Sequence, residues 1–361
     1  VALALFGSSA AASAQSRVVF TVDVESNDAF GLPAQVDASC EGVPCGLIAI
    51  SRLLEERGWA GTFFLDVYEH TRWGNDALKR IALRLQAAGH DVELHTHPQW
   101  AFDGRRNAMY QYSLDEQTAI VRDGVERLES WTGEPVVAHR AGAYTADERT
   151  LLALARNGVP IDSSLFWRYP ECRLDPLGLA RNLPSRYRGV AEIPVTVYER
   201  ADRPSIGATL LPAAAVVRKL DPNWLSGVEE MHVAFEAVVA ADVPVIVVFL
   251  HSFSFMSGEV AHPRLDGGAL AIFRAMLDEV ARRGLTTTTM RELSKDDATA
   301  LAAARNDVVP QVPVRVDAVH YVWRLVRTSS RVAQATGLAC VALALACTLA
   351  IRRRAPRMDQ R

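Results

Sequence analysis

The sequence predicts an α/β protein built on a mainly parallel sheet, and three observations carry that expectation. Short apolar runs alternate with longer amphipathic ones from Arg17 to about residue 295, the spacing of β-then-α units. The run Val243–Leu250 (VPVIVVFL) is apolar throughout, as in a strand buried on both faces. Polar residues then gather just after several of the apolar runs, the end at which such sheets carry chemistry. Seven or eight units of this length suggest a distorted (β/α)7-8 barrel, closed or nearly so.

Taken in order, Arg17–Val24 reads as the first strand. Leu47–Arg57 has helical spacing and stops at Gly58, a C-cap position. Thr62–Leu65 is the second strand, Asn75–Ala88 a helix closed by Gly89, and Val92–Leu94 the third strand. Ser113-Leu114-Asp115-Glu116 has the capping-box form and opens a helix through about Trp131. Val136–Ala138 is a strand, Thr145–Arg156 a helix ending at Asn157-Gly158, and Val159–Asp162 a short strand. Residues 165–190 are irregular and rich in Arg, Pro and Tyr, which suits a substrate-facing loop. Glu192–Val197 resumes a strand and Leu225–Ala241 is a long helix. After the buried run, a helix over Gly268–Arg283 and a strand over Leu285–Thr289 finish the unit.

Composition narrows the partners. The net charge is −3 with no basic block in the body, which argues against nucleic acid. None of the five cysteines forms a Cys-x-x-Cys pair, so a zinc ribbon or thioredoxin-type site is unsupported. Cys40 and Cys45 share a loop and are either a disulfide, if the chain is exported, or free thiols. Residues 1–14 pass from apolar to small residues, and Ala12-Ser13-Ala14 has the form of a secretory cleavage site, so they read as a signal-peptide remnant. The body is expected over 17–295 and a stalk over 296–331, with Pro310 and Pro313 in it. Residues 332–351 reach the ~20 apolar positions of a transmembrane helix. The tail over 352–361 opens on Arg352-Arg353-Arg354, which leans toward a cytoplasmic C-terminus. The expected arrangement is an exported, membrane-anchored protein with its body outside the cytoplasm.

The chemistry starts from His95-Thr96-His97-Pro98. Pro98 biases His97 toward extended backbone, where alternate side chains point the same way. Two imidazoles converging at a strand end supply two of the three protein ligands of a catalytic zinc site. The plainer alternative has one histidine capping a turn and the other facing solvent. Asp23 and Glu25 share a face at the end of the first strand by the same period. Other strand ends add His139-Arg140, Asp162-Ser163-Ser164 and His251-Ser252. His139 is expected as a packed neighbour of Arg140, and His90 as a turn residue. Tyr144, Asp162 and Trp100 are expected on the substrate side, although Asp162 could equally orient groups behind the site or cap Ser163-Ser164, and Trp100 could equally pack on its own domain.

Together these motifs make the stretch from about Val18 to Leu293 resemble the polysaccharide deacetylase superfamily, carbohydrate esterase family 4, whose members share the nodulation-deacetylase homology domain. The likeness is strongest to the subgroup linked to lipopolysaccharide and capsule biosynthesis. It implies a barrel of the deacetylase type. Thr21-Val22-Asp23-Val24-Glu25 matches the family's first motif, which puts Asp23 on the catalytic base and Glu25 on the metal-binding acid. Gly89-His90 precedes His95 at the family spacing, but the second histidine follows after one residue instead of three. His139-Arg140-Ala141-Gly142 resembles the motif whose arginine orients the base, and Leu250-His251 the one that supplies the general acid. The resemblance thus implies Zn2+ or another divalent ion on Glu25, His95 and His97, and a backbone N–H near Ala143–Tyr144 facing the oxyanion. Protonated His251 would serve the leaving amine. The substrate would be an N-acetylated glycan, a cell-surface polysaccharide or glycolipid, and acetate the product. The alternatives are a glycan-binding pseudoenzyme and a glycoside hydrolase on a related barrel. The latter usually needs a carboxylate pair flanking the bond, and beyond Asp162 no further strand-end acid is well placed for one.

Overall fold

The computed structural model describes residues 16–202, 217–222, 227–259, 261–296, 299–302 and 305–314. The expected signal-peptide remnant, membrane helix and basic tail lie outside the described residues, as does the stalk beyond residue 314. Among the described residues no helix is long and apolar enough to cross a membrane.

Strand β1 (Arg17–Val24) is buried from Val18 onward, because strands flank it on both sides. The chain then forms α1 (Leu32–Val36) and a small hairpin, β2 (Ser39–Cys40) with β3 (Val43–Pro44), closed by a Cys40–Cys45 disulfide. Helix α2 (Leu47–Glu55) follows, buried on Leu47, Ile50, Leu53 and Leu54, the spacing of an amphipathic face. Next come β4 (Thr62–Asp66), the short α3 (His70–Trp73), α4 (Asn75–Ala87) and β5 (Asp91–Thr96). Helix α5 (Leu114–Thr132) opens on the expected Ser113–Glu116 capping box and closes on Gly133, whose φ of 71° suits a residue without a Cβ. After it run β6 (Ala138–Ala141), α6 (Glu148–Arg156), β7 (Ile161–Asp162), β8 (Ser185–Tyr187) and β9 (Val190–Glu192). The later elements are β10 (Val197–Asp202), β11 (Val217–Lys219), α7 (Val228–Ala240) and β12 (Val245–His251). A hairpin of β13 (Met256–Glu259) and β14 (His262–Leu265) leads to α8 (Gly267–Arg283), β15 (Thr286–Thr287), α9 (Met290–Lys295) and β16 (Gln311–Val314).

The main sheet has the order β12-β1-β4-β5-β6-β7-β9-β8, with β15 paired to the start of β1. Its pairings are parallel except for β8 against β9. Helices cover it, and its apolar side chains form one continuous core. The expected closed or nearly closed barrel is instead a curled half-barrel: no ladder among the described residues joins β9 to β12. Single hydrogen bonds cross that gap. The Leu220 N–H donates to the Thr196 carbonyl (3.1 Å), and the Phe249 N–H to the Leu220 carbonyl (2.9 Å). The Val247 N–H donates to Thr196 Oγ1 (2.8 Å). Pro194 explains the break, since it has no N–H for a ladder; the strand expected over Glu192–Val197 splits there into β9 and β10.

Other boundaries moved for related reasons. β5 runs through Thr96, and β6 lies at Ala138–Ala141 instead of Val136–Ala138, because His139 and Arg140 are buried polar residues whose partners lie on other strands. Residues 165–190, expected to be irregular, contain β8. The strand expected over Leu285–Thr289 is only two residues before α9 begins. Residues 305–314, expected at the start of a stalk, belong to the body: β16 pairs in parallel with β10, and Asp307 accepts hydrogen bonds from Arg181 and Asn182. The far end of the sheet is tied by α9, where Arg291 donates to Asp91 (2.9 Å) and to the fully buried Glu93 (2.7 Å).

Candidate active site

The C-terminal ends of β1, β4, β5, β6 and β12 converge on one place. Register puts Asp23 beside His251 on one side and Phe64 on the other, and His95 between Asp66 and Arg140. The loop leaving β1 is pinned so that Glu25 stays with them. The Ser252 N–H donates to the Asp23 carbonyl (2.9 Å), and the Ser252 hydroxyl lies 2.5 Å from Gln35 Oε1 and 3.2 Å from the Glu25 carbonyl. One residue on, the Ser26 N–H and hydroxyl both donate to the buried Glu69, which also accepts from Trp73 Nε1 (2.6 Å).

Glu25, His95 and His97 form the one cluster among the described residues that could hold a metal ion, each offering a ligand atom within 4.8 Å of the others. His97 Nε2 lies 2.5 Å and His95 Nε2 3.2 Å from the same oxygen, Glu25 Oε2. The imidazole rings sit edge to face, 5.1 Å between centroids. The compressed His-x-His spacing therefore still brings both rings together. His95 Nε2 is within hydrogen-bond geometry of Glu25 Oε2. His97 Nε2 is buried and lacks it despite its closeness to the same oxygen, which leaves a buried ligand atom aimed at the space it shares with Glu25 and His95. One carboxylate and two imidazoles aimed that way fit a divalent ion.

Charge is balanced within the cluster. Burial by itself would raise the Glu25 carboxyl, but His97 and His95 outweigh it and hold it well below the usual range. Burial opposes charge on His97, yet Glu25 raises it to about 9. A metal ligand must be a neutral imidazole, so a cation and this proton compete for the site.

Around the cluster stand the other expected residues. Arg140, fully buried, donates to Asp23 Oδ1 (2.8 Å), Thr21 Oγ1 (3.0 Å), the Ser163 carbonyl (2.9 Å) and the Ser163 hydroxyl (3.0 Å). The other Asp23 oxygen lies 3.9 Å from His95 Nε2. His251 Nε2 is 3.4 Å from Glu25 Oε1, with its ring stacked on Phe253. Burial lowers His251 to about 4 against the pull of Glu25. Trp100, three residues past His97, is partly buried under the Arg72 guanidinium (4.3 Å).

Asp162 is not on the substrate side but takes the alternative role of holding neighbouring groups, Ser164 among them. It is fully buried and spends one oxygen on His139 Nδ1 (2.7 Å) and the Ser164 hydroxyl (2.8 Å), beneath the site. His139 is accordingly more than a packed neighbour, since it also reaches Thr96 Oγ1 (3.0 Å) between the two histidines. Tyr144 is nearly buried, and its hydroxyl accepts from Lys219 Nζ (2.9 Å). Ala143 and Tyr144 both have positive φ (48° and 58°), a strained turn directly after β6.

Two residues were missed by sequence reasoning. Asp66 ends β4 fully buried; burial raises it to about 7, and its Oδ2 has no hydrogen-bond partner. The strand-end rule applied to Thr62–Leu65 would have found it. Lys219 stands in a short strand just after the apolar run over 210–217 (LLPAAAVV), to which the strand-end rule was not applied.

No protein-family profile matches the chain. Its fold is similar to that of a candidate polysaccharide deacetylase from Mycobacterium smegmatis, at 18% identity over 81% of this chain and 93% of the other, with a TM-score of 0.50. Fainter likenesses include a family 4 carbohydrate esterase from Streptomyces lividans, in complex with acetate (11% identity, 75% and 91% covered, TM-score 0.39). A family 4 pseudoenzyme from Bacillus anthracis is another (12%, 78% and 66%, 0.41).

The geometry also predicts the effect of one methyl group. A Cβ on Gly142 would lie 2.4–2.5 Å from three atoms of the His97 ring, which must then move. Gly142→Ala should weaken divalent-metal binding by about 10–100-fold, the range for changes that displace a ligand's support. Isothermal titration with Zn2+, with circular dichroism to check the fold, measures it. Wild-type affinity in a folded variant would show that His97 is not a ligand.

Proposed function

We propose that the chain is a metal-dependent N-deacetylase of an amino-sugar-containing cell-surface polysaccharide or glycolipid. The observation that carries this reading is the Glu25–His95–His97 cluster lying beside an Arg140-bound Asp23 and beside His251. The motif resemblance points to the lipopolysaccharide- and capsule-linked branch of the polysaccharide deacetylases, and the fold likeness to the M. smegmatis protein agrees with the superfamily.

Glu25, His95 and His97 would hold the ion, best suited to Zn2+ by its donor set, which when bound polarises the acetamide carbonyl and makes water a better nucleophile. Asp23 is the base: Arg140 fixes one of its oxygens and leaves the other on the side of His95 to take the proton of the attacking water. Backbone N–H groups of the Ala143–Tyr144 turn serve the developing oxyanion. His251, in its protonated form, donates to the leaving amine and recovers its proton from solvent. Trp100 offers a ring face to the sugar at the rim. The Cys40–Cys45 disulfide favours an oxidising compartment, in keeping with an exported body anchored through 332–351. Reporter fusions after residues 300 and 361 should report opposite compartments; the same compartment for both would overturn the anchor.

Acetate release from a panel of N-acetylated glycans, with and without chelator, tests the activity. Asp23→Asn should abolish turnover and keep the metal. Glu25→Gln should lose metal affinity and recover part of its activity in excess Zn2+. The reverse pattern would exchange the two roles, and no acetate from any glycan by the metal-loaded wild type would refute the activity.

A further inference from the structure

Beside the metal cluster, on the His251 side, lies a cavity of about 530 Å3, within the ~300–1,000 Å3 range of small-ligand sites. Asn27 and Phe30 of the β1 loop form part of its wall, Phe249, His251 and Phe253 another part, and Lys219 its cationic lining. The stacked Phe253 and His251 rings lie 4.6 Å apart and 14° from parallel, an apolar surface next to the expected leaving-group side of the site.

Lys219 is unusual in this setting. Its ammonium sits 3.2 Å from the centroid of Phe249 and 4.9 Å from that of Tyr144, and its side chain is only 14% exposed. It can donate three hydrogen bonds and makes one among the described residues, to the Tyr144 hydroxyl. Among the described residues the nearest carboxylate oxygen is Asp221 Oδ2 at 4.0 Å, an ion pair too long for a hydrogen bond. The other acid lining the cavity, Asp266, accepts from the Ala269 N–H (2.9 Å) and caps α8. Burial lowers the lysine to about 8, which leaves it mostly charged at pH 7. Aromatic faces hold a cation there, but they accept its remaining N–H groups only weakly.

From this we propose that Lys219 is a specificity determinant which reads an anionic substituent, a carboxylate or a phosphate, on the glycan residue lodged in the cavity. The inference rests on the deacetylase reading for the nature of the ligand. On this account the acetamide-bearing sugar lies over the metal cluster. Its neighbour stacks along Phe253 and turns its acidic group to Lys219. A charge-assisted hydrogen bond of this kind is among the stronger ones a site can offer.

The test uses three N-acetylated oligosaccharides of equal length: one neutral, one bearing uronate residues, one bearing phosphate. The metal-loaded wild type, Lys219→Met and Lys219→Arg are each assayed for acetate release and, separately, for binding by calorimetry. The wild type should favour at least one anionic oligosaccharide over the neutral one by about tenfold or more. Which of the two it favours identifies the anion. Lys219→Met should collapse that ratio to about twofold or less, mainly through KM, and Lys219→Arg should restore part of it. Equal handling of all three by the wild type, or a ratio that survives Lys219→Met, overturns the inference. The two readings also separate. Acetate released from all three without preference leaves the deacetylase standing and removes this role for Lys219. Selective binding without acetate does the reverse.

Discussion

The contact on which the rest of the structure depends is the buried pair between Arg140 and Asp23. β1 and β6 are separated in the sheet by β4 and β5. In a flat sheet three strand spacings of about 4.8 Å would hold them roughly 14 Å apart. Yet Arg140 reaches Asp23 at 2.8 Å and Thr21 at 3.0 Å, and its guanidinium lies over Phe64 on β4 and Phe249 on β12. These contacts exist only because the sheet curls until its strands face one another. A buried ion pair contributes little net stability once desolvation is subtracted, but breaking one by removing a partner costs about 3–5 kcal/mol. Arg140 is thereby a strong constraint on curvature, and its hydrogen bonds to Ser163 carry that constraint to the segment after β7.

Curvature in turn makes the charge cluster. Two acids, three histidines and an arginine would repel or remain solvated on a flat sheet; inside the curl they compensate. Glu25 takes the two metal-facing imidazoles and Asp23 takes the guanidinium, so the two acids of one strand end have different partners although they are only two residues apart. That division is electrostatic as well as geometric, since the same histidines that would hold a cation keep Glu25 ionised despite its burial. His139 and Asp162, lying beneath, support the strand that carries Thr96 between the histidines.

Much of this was legible in the sequence because strand ends are local. Period-two spacing set His95 with His97 and Asp23 with Glu25, and a buried strand at Val243–Leu250 was readable from its unbroken apolar run. What was not legible came from distant contacts. Pro194 could be seen, but not that it would leave the half-barrel bridged only through Thr196 and Leu220. The bond from Asp162 to Ser164 is local and could be read from the sequence, whereas its bond to His139 comes from another strand and could not. The lowering of the His251 pKa reflects desolvation, which no local pattern records. Residues 305–314 looked like a stalk because their partner, β10, is more than a hundred residues earlier in the chain.

The central claim is that Glu25, His95 and His97 converge to hold a cation while Asp23 is kept apart from it by Arg140. Anomalous diffraction at the zinc edge from crystals of the Zn2+-loaded protein tests that most directly. The account predicts a single ion about 2.0–2.2 Å from Glu25, His95 and His97, with Asp23 still bonded to Arg140. An ion bound through Asp23 in place of Glu25, or no ordered ion between the two histidines, would contradict it.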